Sequence, residues 1–415
     1  MTRPALPEHG VSWCQLKPRM ESLTEGDFDW RAGRLALYVF DAGDDVRAVA
    51  KDAYAMFITE NGLGPAAFPS LRRMEVDVVG FGLSLLGAPE GACGDMTSGG
   101  TESILMAVKT CRDYWRAQDE AKRTEIVVPQ SAHPAFNKAA EYLGLTVKRV
   151  PVAGDFTADV NAMAAAVDEH TMMVVASAPC FPYGVIDDIE GLSRLAVDGD
   201  IWLHVDACVG GYFAPFARMN GVNLPPFDFA LPGVRSMSAD LHKYGYAAKG
   251  ASTVFYRSAA LREYQMFRFG DWPTGDMVTP TLAGTRPGGA IAAAWAVMNY
   301  LGCDGYRDKA RIVVETREKY QRGLEAIGGF QFFGQHQLGL LAFGSDEFDM
   351  HAVSEGMRDR GWMSAGVREP KGMHLMLSPG HADVVDGYLA AMAETVIEVR
   401  AGERVAVAGG GARYS

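Results

Sequence analysis

Ser238-Ala-Asp-Leu-His242-Lys243-Tyr-Gly245 places a lysine directly after a histidine, among small and aromatic neighbours. Upstream, the apolar run Ile201-Trp-Leu-His-Val-Asp206 ends in a single carboxylate, and earlier still Ser98-Gly99-Gly100-Thr101 leads into the helical pattern Glu102 to Arg112. Each feature has an ordinary reading: surface charge, a turn after a strand, a helix cap. Their order and context point elsewhere. An amine can hold an aldehyde as a Schiff base only while it spends time uncharged, which a desolvated, partly cationic pocket favours by lowering its pKa. A carboxylate at the carboxyl end of a strand lies where α/β sheets open their ligand crevice, and can keep a pyridine nitrogen protonated. A glycine turn entering a helix offers N–H groups and a positive dipole end to a doubly charged phosphate. Amine, carboxylate and phosphate cradle are together what pyridoxal 5'-phosphate requires, with Lys243 as the Schiff-base lysine.

The rest of the chain agrees with a globular enzyme. It has 415 residues, 48% of them apolar, enough for one large domain and a smaller one. A formal charge of −12 argues against nucleic acid or an anionic membrane as a general partner. The first ten residues lack an apolar core of the kind that directs export, and no stretch reaches about 18 uninterrupted apolar residues, so a cytoplasmic protein without a transmembrane segment is expected. Six scattered cysteines without a C-x-x-C pair suggest neither a metal site nor a disulfide framework. Gly80-Phe-Gly82 lacks the third glycine of a dinucleotide fingerprint and lies inside a helical pattern.

Residues 1–65 read as an N-terminal arm with a helix from Asp44 to Glu60, ended by Asn61-Gly-Leu-Gly-Pro65. From Leu71 onward, helical patterns alternate with β-rich runs at Ile126, Thr146, Met172, Ile201 and Ser252. Such alternation predicts an α/β fold with a mostly parallel sheet sandwiched by helices, over residues 66–300. Helices over Ala290 to Leu301 and Tyr306 to Ile327 lead into a small C-terminal α+β domain, 301–415, with a helix over Ala352 to Arg360 and a loose tail from Gly409 to Ser415.

Six segments in fixed order sharpen this: Asp95 to Ala107, Ser131 to Ala140, Ser177-Ala-Pro-Cys-Phe-Pro-Tyr-Gly-Val-Ile-Asp-Asp-Ile, His204-Val-Asp-Ala-Cys-Val-Gly-Gly-Tyr, Ser238 to Gly250, and Gly284-Thr-Arg-Pro-Gly288. Together they resemble the sphingosine-1-phosphate lyase family, in the group II decarboxylase branch of fold-type I pyridoxal phosphate enzymes. The resemblance implies a fold-type I transferase-like architecture and a homodimer with shared active sites. It further implies Lys243 as Schiff-base lysine, Asp206 on the pyridine nitrogen, His133 stacked on the ring, Ser177 near its 3-oxygen, and Gly100, Thr101 and His242 around the phosphate. Arg286 and Gly288 would belong to a loop approaching the second subunit's site, and Lys249 would meet a substrate phosphate.

Several of these residues carry a second reading. His133 equally serves as a cap for the helix after Pro134, Lys249 as a solvated turn lysine, and Arg286 as a surface arginine. The start at Gly288 and Gly289 also offers free N–H groups to an anion. Tyr38, Tyr244 and Tyr246 are core aromatics or point hydroxyls at substrate. Two departures concern the substrate: Asn61-Gly-Leu-Gly64 stands where the family carries Asn-Pro-Leu-His, and Pro182-Tyr183-Gly184 where it often carries Pro-His-Gly. Both are expected where the polar head is read. The expected reaction is Cα–Cβ cleavage of a β-hydroxy amine, phosphorylated or not, with the catalytic base open among Lys243, His242 and a tyrosine. The alternative is α-decarboxylation of an amino acid, and a third reading is a scaffold without catalysis.

Overall fold

The computed structural model describes residues 3–406. The tail expected to be loose, Gly409 to Ser415, lies outside them. The main sheet has seven strands: β1 (Cys93–Thr97), β2 (Glu125–Pro129), β3 (Thr146–Val150), β4 (Thr171–Ser177), β5 (Trp202–Asp206), β6 (Val234–Ala239) and β7 (Ser252–Tyr256). They lie in the order β1-β7-β6-β5-β4-β2-β3. β3, β2, β4, β5 and β6 pair in parallel, and β7 runs antiparallel to both β6 and β1.

Every residue of β4 is buried, as a central strand covered on both faces requires. Alternation sorts neighbouring side chains to opposite faces. Ile126, Val128, Met173, Val175 and Trp202 pack with the helices Gly100–Ala117 and Ala135–Leu143. Val127, Val174, Ala176, Leu203 and Val205 join the larger core on the other face.

The β-rich runs read from sequence correspond to β2, β3, β4, β5 and β7, whereas β1 and β6 escaped that reading. β6 is Val-Arg-Ser-Met-Ser-Ala, and its serines are buried because they bond to side chains of β5. The N-terminal helix is shorter than expected: Asp44–Met56, not to Glu60. Asn61 instead bridges to Pro287, drawing the chain into extended form. The two helices expected after Gly289 are both present within Gly288–Ile327 and meet at Gly302, whose φ of 56° breaks the helical path between them. A hairpin, β8 (Phe267–Phe269) and β9 (Met277–Thr279), precedes it.

The C-terminal part forms a second sheet from β10 (Gln331–Phe332), β11 (Leu340–Gly344), β12 (Ala365–Val367) and β13 (Gly372–Met376), in the order β10-β11-β13-β12 and antiparallel throughout. Its helices are Met350–Asp359, capped by Asp349, and Val385–Arg400. No helix among the described residues is long and apolar enough to cross a membrane.

Candidate active site

Register brings three strand ends together: Ser177 of β4 lies opposite Asp206 of β5, which lies opposite Ser238 of β6. Beyond these ends a cavity of about 400 Å³ opens, within the usual size for a small-ligand site. Gly100, Thr101, His133, Asp206, His242 and Lys243 all line it, so six residues singled out from distant segments meet in one place.

The floor is electrostatic. Asp206 is buried, and its Oδ1 accepts from the Cys208 N–H (3.1 Å) and the Ser238 hydroxyl (3.3 Å). Behind it runs a chain of buried partners: Trp202 Nε1 donates to Ser236 Oγ (2.7 Å), Ser236 Oγ meets His204 Nδ1 (2.8 Å), and His204 Nε2 meets Ser238 Oγ (3.2 Å). Since Trp202 donates to Ser236, that hydroxyl is left to donate to Nδ1, and a neutral imidazole with its proton on Nε2 satisfies every member. Burial pushes the His204 pKa down to about 4, in keeping with a neutral ring.

Gly100 opens the helix Gly100–Ala117 at the cavity wall. A Cβ there would lie 2.8 Å from Cys208 Sγ and 2.9 Å from Asp240 Oδ2, so only glycine lets the helix start come this close. The turn before it is tied by Glu102, which accepts from the Ser98 N–H (2.7 Å) and from the Leu282 N–H (2.9 Å). A carboxylate near a helix start also suits the dipole.

Lys243 differs from expectation. Its Nζ lies 2.9 Å from Asp240 Oδ2, and Asp240 is buried. Burial alone would lower the lysine pKa, but the Asp240 charge outweighs it and holds the amine above the ordinary lysine value. The cationic pocket foreseen from sequence contains a counter-ion. His242 accepts the Ala251 N–H at Nδ1 (3.3 Å), which leaves Nε2 as the N–H atom. Burial lowers its pKa, Asp240 opposing. His133 Nδ1 accepts the Ala135 N–H (3.1 Å) at the helix start, as the capping reading expects, and the residue lines the cavity. Burial lowers its pKa too.

Other expected site residues stand apart from this cavity's lining. Ser177 is buried beside Asp206, but its N–H donates to Asp187 (2.6 Å), and Pro179 and Phe181 form the wall after β4. The Lys249 ammonium sits between the carbonyls of Tyr38 and His242, 3.1 Å from each. Desolvation, reinforced by the Lys243 charge, pushes its pKa down to about 8. Tyr38 holds a left-handed backbone (φ 60°) to present that carbonyl. Tyr244 belongs to the core, donating to Leu377 O (2.6 Å). Tyr246 is buried on a neighbouring cavity shared with Lys249.

Arg286 is neither a surface arginine nor a cavity residue: it pairs with Glu75 through both guanidinium nitrogens and donates to Gly62 O (3.2 Å). The Gly288 N–H donates to Glu60 O (2.9 Å), so it is not free for an anion. A Cβ at Gly288 would come within 2.5 Å of that oxygen. Tyr183 corrects the expectation for its segment. It packs with Phe156 and Phe333, and its hydroxyl donates to Glu369 O (2.7 Å), so it reads no ligand in the cavity. Gly64 leaves space: a Cβ there would meet only the Ala67 methyl, at 3.7 Å.

Asp240, Cys208, Pro179 and Phe181 line the cavity and had not been singled out. Asp240 was legible in principle, as the only carboxylate between β6 and Lys243. The donor set fits pyridoxal phosphate: a buried carboxylate at a strand end, an amine across the cavity and a glycine helix start stripped of Cβ.

Comparison with known proteins agrees. Residues 15–345 match the pyridoxal-dependent decarboxylase conserved domain. The chain is 41% identical over 407 residues to a sphingosine-1-phosphate lyase of Oryza sativa subsp. japonica, covering 96% of this chain and 75% of that protein. It also superimposes on the structure of a Burkholderia pseudomallei sphingosine-1-phosphate lyase with a TM-score of 0.93 at 36% identity, covering 97% of this chain and 94% of that one. A Lactobacillus brevis glutamate decarboxylase shares the fold alone, at a TM-score of 0.85 and 18% identity, covering 96% of each chain. The chain therefore belongs to the pyridoxal-dependent decarboxylase family, among its sphingosine-1-phosphate lyases, and is a pyridoxal phosphate-dependent lyase.

Proposed function

We propose that this enzyme cleaves the Cα–Cβ bond of a phosphorylated β-hydroxy amine of the sphingosine-1-phosphate type, releasing an aldehyde. The observation that carries the reading is the meeting of Lys243, Asp206 and the Gly100 helix start on one cavity, in a chain so similar to sphingosine-1-phosphate lyases. Pyridoxal phosphate, when bound, supplies an electron sink for the pair left on Cα.

The chain's own residues do the rest in this proposal. Asp206, fixed by Cys208 N–H and Ser238, offers a carboxylate to the ring nitrogen and favours charge that develops toward the transition state. Gly100, Thr101 and His242 would hold the phosphate and His133 would lie beside the ring, with Ser177, next to Asp206 at the strand end, serving the 3-oxygen. Lys243 would be the attachment residue and would carry protons once released. Lys249, held beside Tyr38, supplies a cation for the substrate phosphate. Arg286 and Gly288 act by ordering the 60–64 segment against the loop before the long helix. A cytoplasmic homodimer with shared sites completes the proposal.

The test is to incubate the enzyme with a phosphorylated sphingoid base, its unphosphorylated form and amino acids, measuring aldehyde and carbon dioxide. Aldehyde from the phosphorylated amine is expected; carbon dioxide without aldehyde would make it an amino-acid decarboxylase. Lys243→Ala is expected to lose both turnover and the visible absorbance of attached cofactor. Turnover retained in that variant would refute the role of Lys243.

A further inference from the structure

The carboxylate of Asp240 belongs to none of the roles above, yet it is the nearest charge to the amine that must react. It is buried in the cavity wall between the end of β6 and Lys243. Oδ2 lies 2.9 Å from Lys243 Nζ and 3.7 Å from His242 Nε2. Among the described residues Oδ1 has no partner within ordinary hydrogen-bond geometry. Both oxygens lie against Gly100, where a Cβ would approach within 3.0 Å. A carboxylate with one bare oxygen in a buried site is stable only while paired. Lys243 is what pairs it, with His242 Nε2 farther off at 3.7 Å.

We propose that Asp240 is a positioning residue for cofactor attachment: it parks Lys243 as an ammonium ion in the cofactor-free chain, and thereby sets the pH at which the lysine can take the aldehyde. The proposal rests on Lys243 being the attachment residue. Attachment joins Nζ to the aldehyde carbon and releases the aldehyde oxygen as water. Nζ supplies the electron pair, so its extra proton must leave first, and no oxidant or reductant takes part. Other groups facing Lys243 are Asp206 and Cys208 at the end of β5, His133 at the start of its helix, and His242 and Lys249 on the adjoining loop. Among the carboxylates, only Asp240 is within ion-pair distance of Lys243 in the described residues. An opposite charge this close favours the charged amine, whereas Asp206 acts from farther away.

The experiment strips the enzyme of cofactor, adds pyridoxal phosphate across a pH series, and follows the visible absorbance of attachment with borohydride trapping and peptide mapping. For Asp240→Asn, with folding checked by circular dichroism, the midpoint of attachment is expected to move roughly 1–3 pH units to the acid side. Asp240→Glu is expected to bring it back toward wild type. A folded Asp240→Asn variant with the wild-type midpoint would overturn the proposal. Should that variant not fold, Asp240→Ser takes its place, with the same acid-side shift expected and a wild-type midpoint again overturning the proposal. If trapping marks a lysine other than Lys243, the assignment of the attachment residue falls, and this proposal with it; a shifted or unshifted midpoint at a labelled Lys243 bears on Asp240 alone.

Discussion

At Asp206 the chain concentrates its electrostatic work on one side chain, held by a main-chain N–H and a serine hydroxyl. Asp206→Asn keeps the shape and removes the charge that would hold a ring nitrogen protonated. With cofactor saturating, kcat is expected to fall by roughly 10²–10³, measured as aldehyde release. A fall smaller than about threefold would show that the carboxylate charge contributes little. Gly100 works by absence. Its missing Cβ leaves the gap shared by Cys208 and Asp240, so Gly100→Ala forces an overpacked contact costing about 1–3 kcal/mol. Equilibrium titration with pyridoxal phosphate is expected to show roughly ten- to hundredfold weaker binding, and unchanged affinity would mean the helix start can shift freely.

Among the elements, the clearest case is the loop running into the long helix. Arg286 fastens it to Glu75 on the helix Pro69–Leu85 and to Gly62 on the incoming arm. Both side chains are mostly buried, at 12% and 16% exposure, so removing one strands the other's charge. Arg286→Ala is expected to lower stability by about 3 kcal/mol, seen as a lower urea midpoint, and a loss under about 1 kcal/mol would reduce the pair to a surface contact. Which elements could be read beforehand follows from their side chains. β4 and β5 announce themselves as apolar runs. β6 does not, because its buried Ser236 and Ser238 look like loop residues until Trp202, His204 and Asp206 are placed beside them.

For the molecule as a whole, the buried polar chain behind Asp206 ties stability to pH. The His204 pKa lies at about 4 in the folded chain, against an ordinary value of about 6.5. Between those values the unfolded chain binds the proton and the folded chain does not. The stabilisation is therefore complete above about pH 6.5 and is lost as pH falls toward 4, by up to about 3 kcal/mol. Urea unfolding at a series of pH values is expected to show a shallower acid loss in His204→Asn than in wild type. Equal slopes would mean that His204 is already charged when folded.

Chemistry that depends on residue type and chain order was decided by the sequence itself: an amine beside a histidine, a carboxylate closing an apolar run, glycines opening a helix, and helices alternating with strands. These are local facts, set by side-chain pKa, hydrophobic period and backbone freedom. Tertiary structure alone decided the pairings. It put Asp240 against Lys243, turned Tyr183 away toward Glu369, and committed Arg286 to Glu75. Electrostatic and hydrogen-bond energies depend on distance in space and on burial, and residues 211 positions apart in the chain become ion-pair partners only once the sheet and its helices have closed around them.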